Sequence, residues 1–364
     1  MPTWPKPEET ATLTVNGFDY KEWESVYVRH ELGGEPPMLA IFTVSEGLPL
    51  AANLDKMQIA PGDHCTITLA GQLAFRGQVE TRQVFYDAHR HHVQLQCATW
   101  TNIIEGSVIH KSMEWKDKTF SQIAEDVLRP AGIALKFEGG SPPTHKYPRA
   151  SAIPGITIID FLKDLASIIK TESGVGVRFK SNVNEDFVVV MGPNGGLDSV
   201  VEGKNIIIGR EVIRRPSAAS ANPILSQGPG SDKKWGPEVT HKPFFSQAEK
   251  SIFLGNQLPR ISWLPIASSE VEDLKGLNQN KSKIQASDEI TVHAVTHGWL
   301  RPSDNNLWEA NQQVQVISPM LMMHGDEKLT AKSVVFTQNN QTGTRTELEL
   351  ANDTARRGGT PQLR

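Results

Sequence analysis

Cysteine is scarce: two residues in 364 exclude a disulfide framework, and they do not stand at the spacing of a zinc-binding pair. Cys65 and Cys97 fall on β-type runs of one region, where both are expected to lie buried as thiols. Charge of one sign is missing too, since 37 Lys and Arg stand against 41 Asp and Glu, a formal net of −4, with the cations scattered. That excludes the electrostatic footprint of a nucleic-acid binder. No apolar run is long enough to span a bilayer, and the opening MPTWPKPEET has neither the basic nor the apolar segment of a secretory signal. The expectation is a chain made in the cytoplasm, without a membrane anchor. The motifs H-E-x-x-H, G-x-S-x-G and C-x-x-C do not occur, and Gly203-Lys204 runs into Asn205 rather than completing a phosphate-binding loop.

What is present is turn chemistry between short alternating runs, with 29 Gly and 23 Pro in a chain too long for one ordinary core. Leu13 and Val15 lead into the hairpin signal Asn16-Gly17, then Trp23, Val26 and Val28. Leu39, Ile41, Phe42 and Val44 follow, and Pro61-Gly62-Asp63 opens Cys65, Ile67 and Leu69. A long run from Leu73 to Phe85 sets Leu73, Phe75, Val79 and Phe85 against Arg76, Gln78, Glu80 and Arg82, before Val93, Leu95 and Cys97. Residues 1–105 thus read as a first antiparallel β-barrel.

The period then changes. Thr119 and Gln122 make a capping box ahead of Phe120, Ile123, Ala124, Val127 and Leu128, and Pro130 and Gly132 end that helix. A second helix starts at Thr157, with Asp160 reaching back, and buries Ile158, Phe161, Leu162, Leu165, Ile168 and Ile169 up to Gly174. Two strands, Val175 to Phe179 and Phe187 to Met191, complete a small α+β domain over 106–200. A strand over Asn205 to Arg215 belongs with 287–352 in a second barrel. Between them, 217–286 reads as an irregular insertion, with Pro216 to Phe245 lacking periodicity and disordered in the free subunit, and a short helix from Ser269 to Asn278. Residues 353–364 form a tail.

The closing block alternates most clearly. Ile290, Val292, Ala294 and Thr296 give one strand, Val314 and Val316 another, Leu329 to Phe336 a third, and Thr344 to Leu350 a fourth. A faint repeat links the barrels: Pro61-Gly62 with Ala310-Asn311, Cys65 and Ile67 with Val314 and Val316, Val93 and Leu95 with Leu348 and Leu350. In this block HGWLRPSDNNLWEANQQVQVISPML followed by GDEKLTAKSVVFTQNNQTGTRTELEL resembles the C-terminal part of Mu-type baseplate hub proteins, the late control protein D group of contractile-tailed phages. PGDHCTITLAGQLAFRGQVE, KTFSQIAEDVLRPAGI and FLKDLASIIKTE extend the resemblance over most of the chain, in order, with 217–258 matching poorly. A more distant similarity is to the hub of T-even phages.

The resemblance implies a mainly β protein with α+β elements: two antiparallel β-barrels, a small α+β domain and an irregular insertion. It implies a homotrimer of pseudo-six-fold symmetry that joins the hexameric tail tube to the trimeric puncturing spike. Tube or distal tail proteins, the spike and other baseplate proteins are then the partners, in the virion tail baseplate, with DNA passing through the lumen unbound. No cofactor, metal or catalytic residue is implied. The alternatives are a tail-associated cell-wall hydrolase and a carbohydrate-binding adhesin.

Each candidate constellation has a plainer explanation. His89, His91 and His92 near Cys97 suggest a metal, but on a strand only alternate residues share a face, so at most His89 and His91 point together, and a solvated hairpin tip is favoured. His293 and His297 lie too far apart along a strand for one ion. A glycosidase would need two facing carboxylates. Asp160 and Asp164, beside Lys163, sit on a solvated helix face, and Glu105, Glu114 and Asp117 sit in loops. Trp299 and Trp308 flank the RPSDNN turn, where packing across a barrel end is favoured over a sugar platform.

Overall fold

In the computed structural model, residues 7–21, 23–33, 38–45, 59–86, 91–109, 113–152, 154–167, 169, 177–213, 224–227, 244–246, 262–265 and 290–351 are described. The first strands are β1 (Ala11–Val15), β2 (Phe18–Tyr20), β3 (Ser25–Glu31), β4 (Met38–Ser45), β5 (His64–Leu69), β6 (Gln72–Tyr86) and β7 (His91–Ala98). Their alternation follows the sequence: in β1, Ala11, Leu13 and Val15 are buried while Thr12 and Thr14 are half-exposed. Asn16 and Gly17 hold φ of 51° and 82°, the two positive values that a tight β1–β2 hairpin requires.

The α+β part contains α1 (Ile103–Gly106), β8 (Met113–Trp115), β9 (Lys118–Thr119), α2 (Phe120–Leu128), β10 (Leu135–Glu138), β11 (Lys146–Tyr147), β12 (Ala150–Ala152), α3 (Ile158–Ser167), β13 (Arg178–Ser181) and β14 (Phe187–Val190). Helix α2 carries the expected capping box, Thr119 Oγ1 accepting from the Gln122 amide at 3.4 Å and Gln122 accepting from the Thr119 amide at 3.2 Å. All five of its expected apolar residues are buried. In α3 the buried set shifts: Ile159 and Ala166 join Phe161 and Leu162, whereas Ile158 and Leu165 are only half-buried. Ile159 joins the same core as the strand residues Phe179 and Val189, so the apolar stripe is broader than the 3.6 spacing alone marks. Ile168 and Gly174 lie outside the described residues.

The remaining strands are β15 (Asn194–Val201), β16 (Ile206–Ile213), β17 (Ile224–Gln227), β18 (Phe244–Ser246), β19 (Ser262–Pro265), β20 (Ile290–His297), β21 (Gln312–Ser318), β22 (Met323–Asn339) and β23 (Gly343–Ala351). Strands β17, β18 and β19 make a small sheet of their own, so the stretch read as lacking periodicity does contain strands at 224–227 and 244–246. The helix expected over 269–278 lies outside the described residues.

Most strands join one mainly antiparallel sheet in the order β16-β20-β23-β22-β3-β4-β7-β6-β5-β1-β2, with β21 and β15 branching from β22. The fold class is mainly β with α+β elements, as expected, but the strands form this single open sheet instead of two closed barrels. The cause is the length of β22. Thr330 pairs with Gln313 on one edge and Ala351 on the other, and beyond it β3 takes the edge that β21 has vacated, Ser333 to Asn339 against Glu31 to Ser25. A second departure is β15. The sequence puts 194–200 in the α+β domain, since Gly195 and Gly196 obscure its alternation, yet β15 runs parallel to β21 in the large sheet.

Two halves of this sheet repeat one another. The first is β3-β4-β7-β6-β5, the second β16-β20-β23-β22-β21, and the chain visits the matching strands in the same sequence; the flanking strands differ, β1 running antiparallel to β5 and β15 parallel to β21. Register makes the match residue by residue. A bulge falls between Val79 and Thr81 of β6 and between Ala331 and Ser333 of β22. Just upstream, Gly62 (φ 97°) donates to the Val79 carbonyl at 2.8 Å, as Asn311 (φ 76°) donates to that of Ala331 at 2.8 Å. The closing pair shifts by two positions from the sequence reading: Leu95 opposes Phe42 as Leu348 opposes Ala294, so Leu95 and Cys97 match Leu348 and Leu350. One hydrophobic core runs through both halves, from Leu13 and Phe42 to Phe336 and Leu348.

The α+β part has a separate core around Phe120, Phe161 and Val189. It meets the large sheet through Leu32, Val188, Val190 and Ala310 and through a buried latch. Lys180 Nζ lies 2.7 Å from a Glu138 carboxylate oxygen and donates to the Ala310 carbonyl at 3.1 Å. Asn311 Nδ2 donates to the other Glu138 oxygen at 2.9 Å and to the Gly192 carbonyl at 3.0 Å.

Candidate functional site: the open sheet edges

Residues first weighed for chemistry do not converge. Cys97 is fully buried and faces the core, away from the hairpin tip, and His92 meets Glu24 at 3.1 Å; His89 and the His91 side chain lie outside the described residues. Both cysteines are free thiols, and a hydrogen bond with Cys97, together with burial, pushes the Cys65 thiol far above its ordinary range. His293 sits 3.6 Å from Glu347, while His297 contacts the Thr344 carbonyl at 3.2 Å. Among the described residues no three His, Cys, Asp or Glu gather as a metal site.

The carboxylates are engaged structurally. Asp160 accepts from Thr157 Oγ1 at 2.5 Å and its amide donates back at 3.1 Å, the start of α3. Asp164 is exposed on the same face. Glu114 pairs with Lys116 at 3.4 Å and Arg149 at 3.3 Å, Asp117 makes a left-handed turn, and the Glu105 side chain lies outside the described residues. Gly203 and Lys204 form the turn from β15 to β16, with Lys204 donating to the Val201 carbonyl. Trp299 and Trp308 are fully buried, Trp299 Nε1 donating to the Thr337 carbonyl at 3.3 Å. They pack rather than present a sugar platform. The turn between them ties the halves together, since Gln72 donates to the Asn305 carbonyl at 2.7 Å and accepts from the Leu307 amide at 3.2 Å.

A cleft of about 340 Å³ between the first half and the α+β part is lined by His64, Arg76, Thr66 and Glu185. Its Glu185 already accepts from the Trp100 amide at 3.1 Å.

Unspent capacity lies in the backbone edges. Strand β6 is paired by β5 only as far as Gln78, so on that side 81–86 has no partner among the described residues. Strand β16 pairs with β20 and bridges Glu202 at Ile206, and no described strand pairs with its other edge over 208–213. Both edges are apolar and open: Val84 is 41% and Phe85 60% exposed, Ile207 46% and Ile208 48%. Phe85, expected on the buried side with Phe75 and Val79, is outside because the bulge at Glu80 shifts the alternation and β6 overruns its neighbour. Sequence patterns do not single out these particular edges, since only the pairing shows which strand is left over. Free apolar edges are a hazard unless another strand covers them.

The class defined by these features is a twofold-repeated, mainly β protein whose described strands leave two sheet edges unpaired. No protein-family model matches the chain. It is 23% identical over 349 residues to the baseplate hub protein gp44 of Escherichia phage Mu, covering 94% of this chain and 87% of that one. Two solved structures share its fold: the 43 kDa tail protein of prophage MuSo2 from Shewanella oneidensis (TM-score 0.71, 19% identity, 95% of this chain and 98% of that one) and a tail protein of Neisseria meningitidis MC58 (0.73, 16%, 94% and 96%). The resemblance to Mu-type baseplate hubs read from the residues is shown by these relatives, whose names are those of tail and baseplate parts and not of enzymes.

Proposed function

We propose that the chain is the structural hub of a contractile phage tail: a non-enzymatic homotrimer, located in the virion baseplate, that joins the hexameric tube to the trimeric spike. The observation that carries this reading is the repeat. A chain holding two like halves offers, in three copies, six similar positions toward the tube and three toward the spike. The fusion of the halves through β22 and β3 supports it, because it fixes their spacing within each copy. Relatedness to a Mu baseplate hub supports the same place in the particle. The hub transmits the thrust of sheath contraction and releases the spike, and DNA then passes without specific contacts, in keeping with the near-neutral charge.

The test is twofold. Electron microscopy of tail particles with this subunit tagged should place the tag at the tube–spike junction. Light scattering of the purified chain mixed with the spike protein should give three copies. A tag elsewhere in the tail, or a monomer even with the spike present, overturns the reading.

A further inference from the structure

The halves of the sheet are joined inside one chain by a defined contact. The free half-edge of the long strand β22, residues 333–339, pairs antiparallel with the outer edge of β3, Val334 opposite His30 and Phe336 opposite Val28. The repeat supplies a counterpart for each partner. The bulges match 81–86 of β6 to 333–338 of β22. Pairing with β4 and β20 matches Val28, opposite Ala40, to Glu211, opposite Val292. Both counterparts are the bare edges described above. Within one copy they occupy different halves and end different parts of the sheet, so neither can satisfy the other there.

We propose that residues 82–86 of β6 pair antiparallel with 209–213 of β16 in a second copy, in the register that β22 and β3 already use within one chain. That register sets Arg82 opposite Ile213, Val84 opposite Glu211 and Phe85 opposite Arg210. The contact is heterologous, one copy giving β6 and the next giving β16, so it propagates around a ring instead of stopping at a twofold dimer. It covers Val84 and Phe85, two of the ten exposed large apolar side chains among the described residues. Phe85 beside the Arg210 guanidinium adds a cation–π contact. The proposal rests on the hub reading only in taking a ring of copies to exist.

Cross-linking tests the register. A full-length chain bearing Val84→Cys is mixed with one bearing Glu211→Cys and mildly oxidised. Covalent dimers should form in the mixture and in neither chain alone. A mixture of Arg82→Cys with Glu211→Cys, displaced by two residues, should link at least about tenfold less, since Cα atoms beyond about 7 Å cannot be bridged without backbone movement. Both cysteines on one chain should give a ladder ending at the ring size. Light scattering that shows an oligomer while the Val84–Glu211 link is absent, or no better than the shifted one, overturns this pairing and leaves the hub reading standing. A chain that stays monomeric at every concentration, unlinked, overturns the pairing together with the ring it needs.

Discussion

At the scale of the residue, burial makes His30 a pH-sensitive component of the core. Its Nε2 donates to the Ala74 carbonyl at 2.7 Å and its ring meets Phe336 edge-on at 5.6 Å. Burial, opposed by the Ala74 carbonyl and aided by the Lys180 charge, takes the imidazole from 6.5 down to about 4. Between those pH values the unfolded chain binds a proton that the folded chain refuses. Stability is therefore full above pH 6.5 and falls as pH drops toward 4, by about 3 kcal/mol from this group. Urea unfolding of the native chain and of His30→Asn should show this share of the acid loss only in the native chain; equal slopes would refute it. Gly77 is the second such position. A Cβ there would stand 2.2 Å from the Ala98 carbonyl oxygen, which the β6–β7 ladder holds in place. Gly77→Ala should cost about 1–3 kcal/mol in unfolding free energy. Neither property shows in the sequence, where His30 is one polar residue in an alternating run and Gly77 one glycine of 29.

At the scale of the element, the period-2 and period-3.6 patterns located most strands and both longer helices, because each buries one face and the alternation survives in the residues. What escaped was set by contacts between distant segments. Strand β15 hid behind its glycines, and Phe85 was assigned inward because a bulge leaves no mark in composition. The latch on the α+β part is of the same kind: Lys180, Glu138 and Asn311 come together only in the fold. Removing one charge strands the other in a dry seam. Lys180→Met should cost about 2–3 kcal/mol, while Lys180→Met with Glu138→Leu should recover most of that loss. Denaturant unfolding of the set checks it; a double variant less stable than either single one would show that the latch is not a coupled pair.

At the scale of the whole molecule, the faint echo in the sequence is a repeat of five strands in each half, and the open edges follow from it. Phe85→Asp should weaken self-association about 10- to 100-fold, as for a central aromatic anchor, with the subunit's unfolding midpoint unchanged because the side chain is already exposed in one copy. Sedimentation over a concentration series reads the first effect and thermal unfolding the second. A fall in the midpoint equal to the loss of association would place Phe85 in the core instead.

The shared strand β22 also governs how the chain is made. Phe336 closes on Val28 from about 300 residues downstream, which at cellular rates of synthesis is roughly 15–60 s later. During that interval the nascent first half emerges with its β3 flank uncovered, liable to capture by any passing extended segment. Translation speed and chaperone supply are therefore expected to govern the yield of soluble subunit more strongly than the stability of the finished fold.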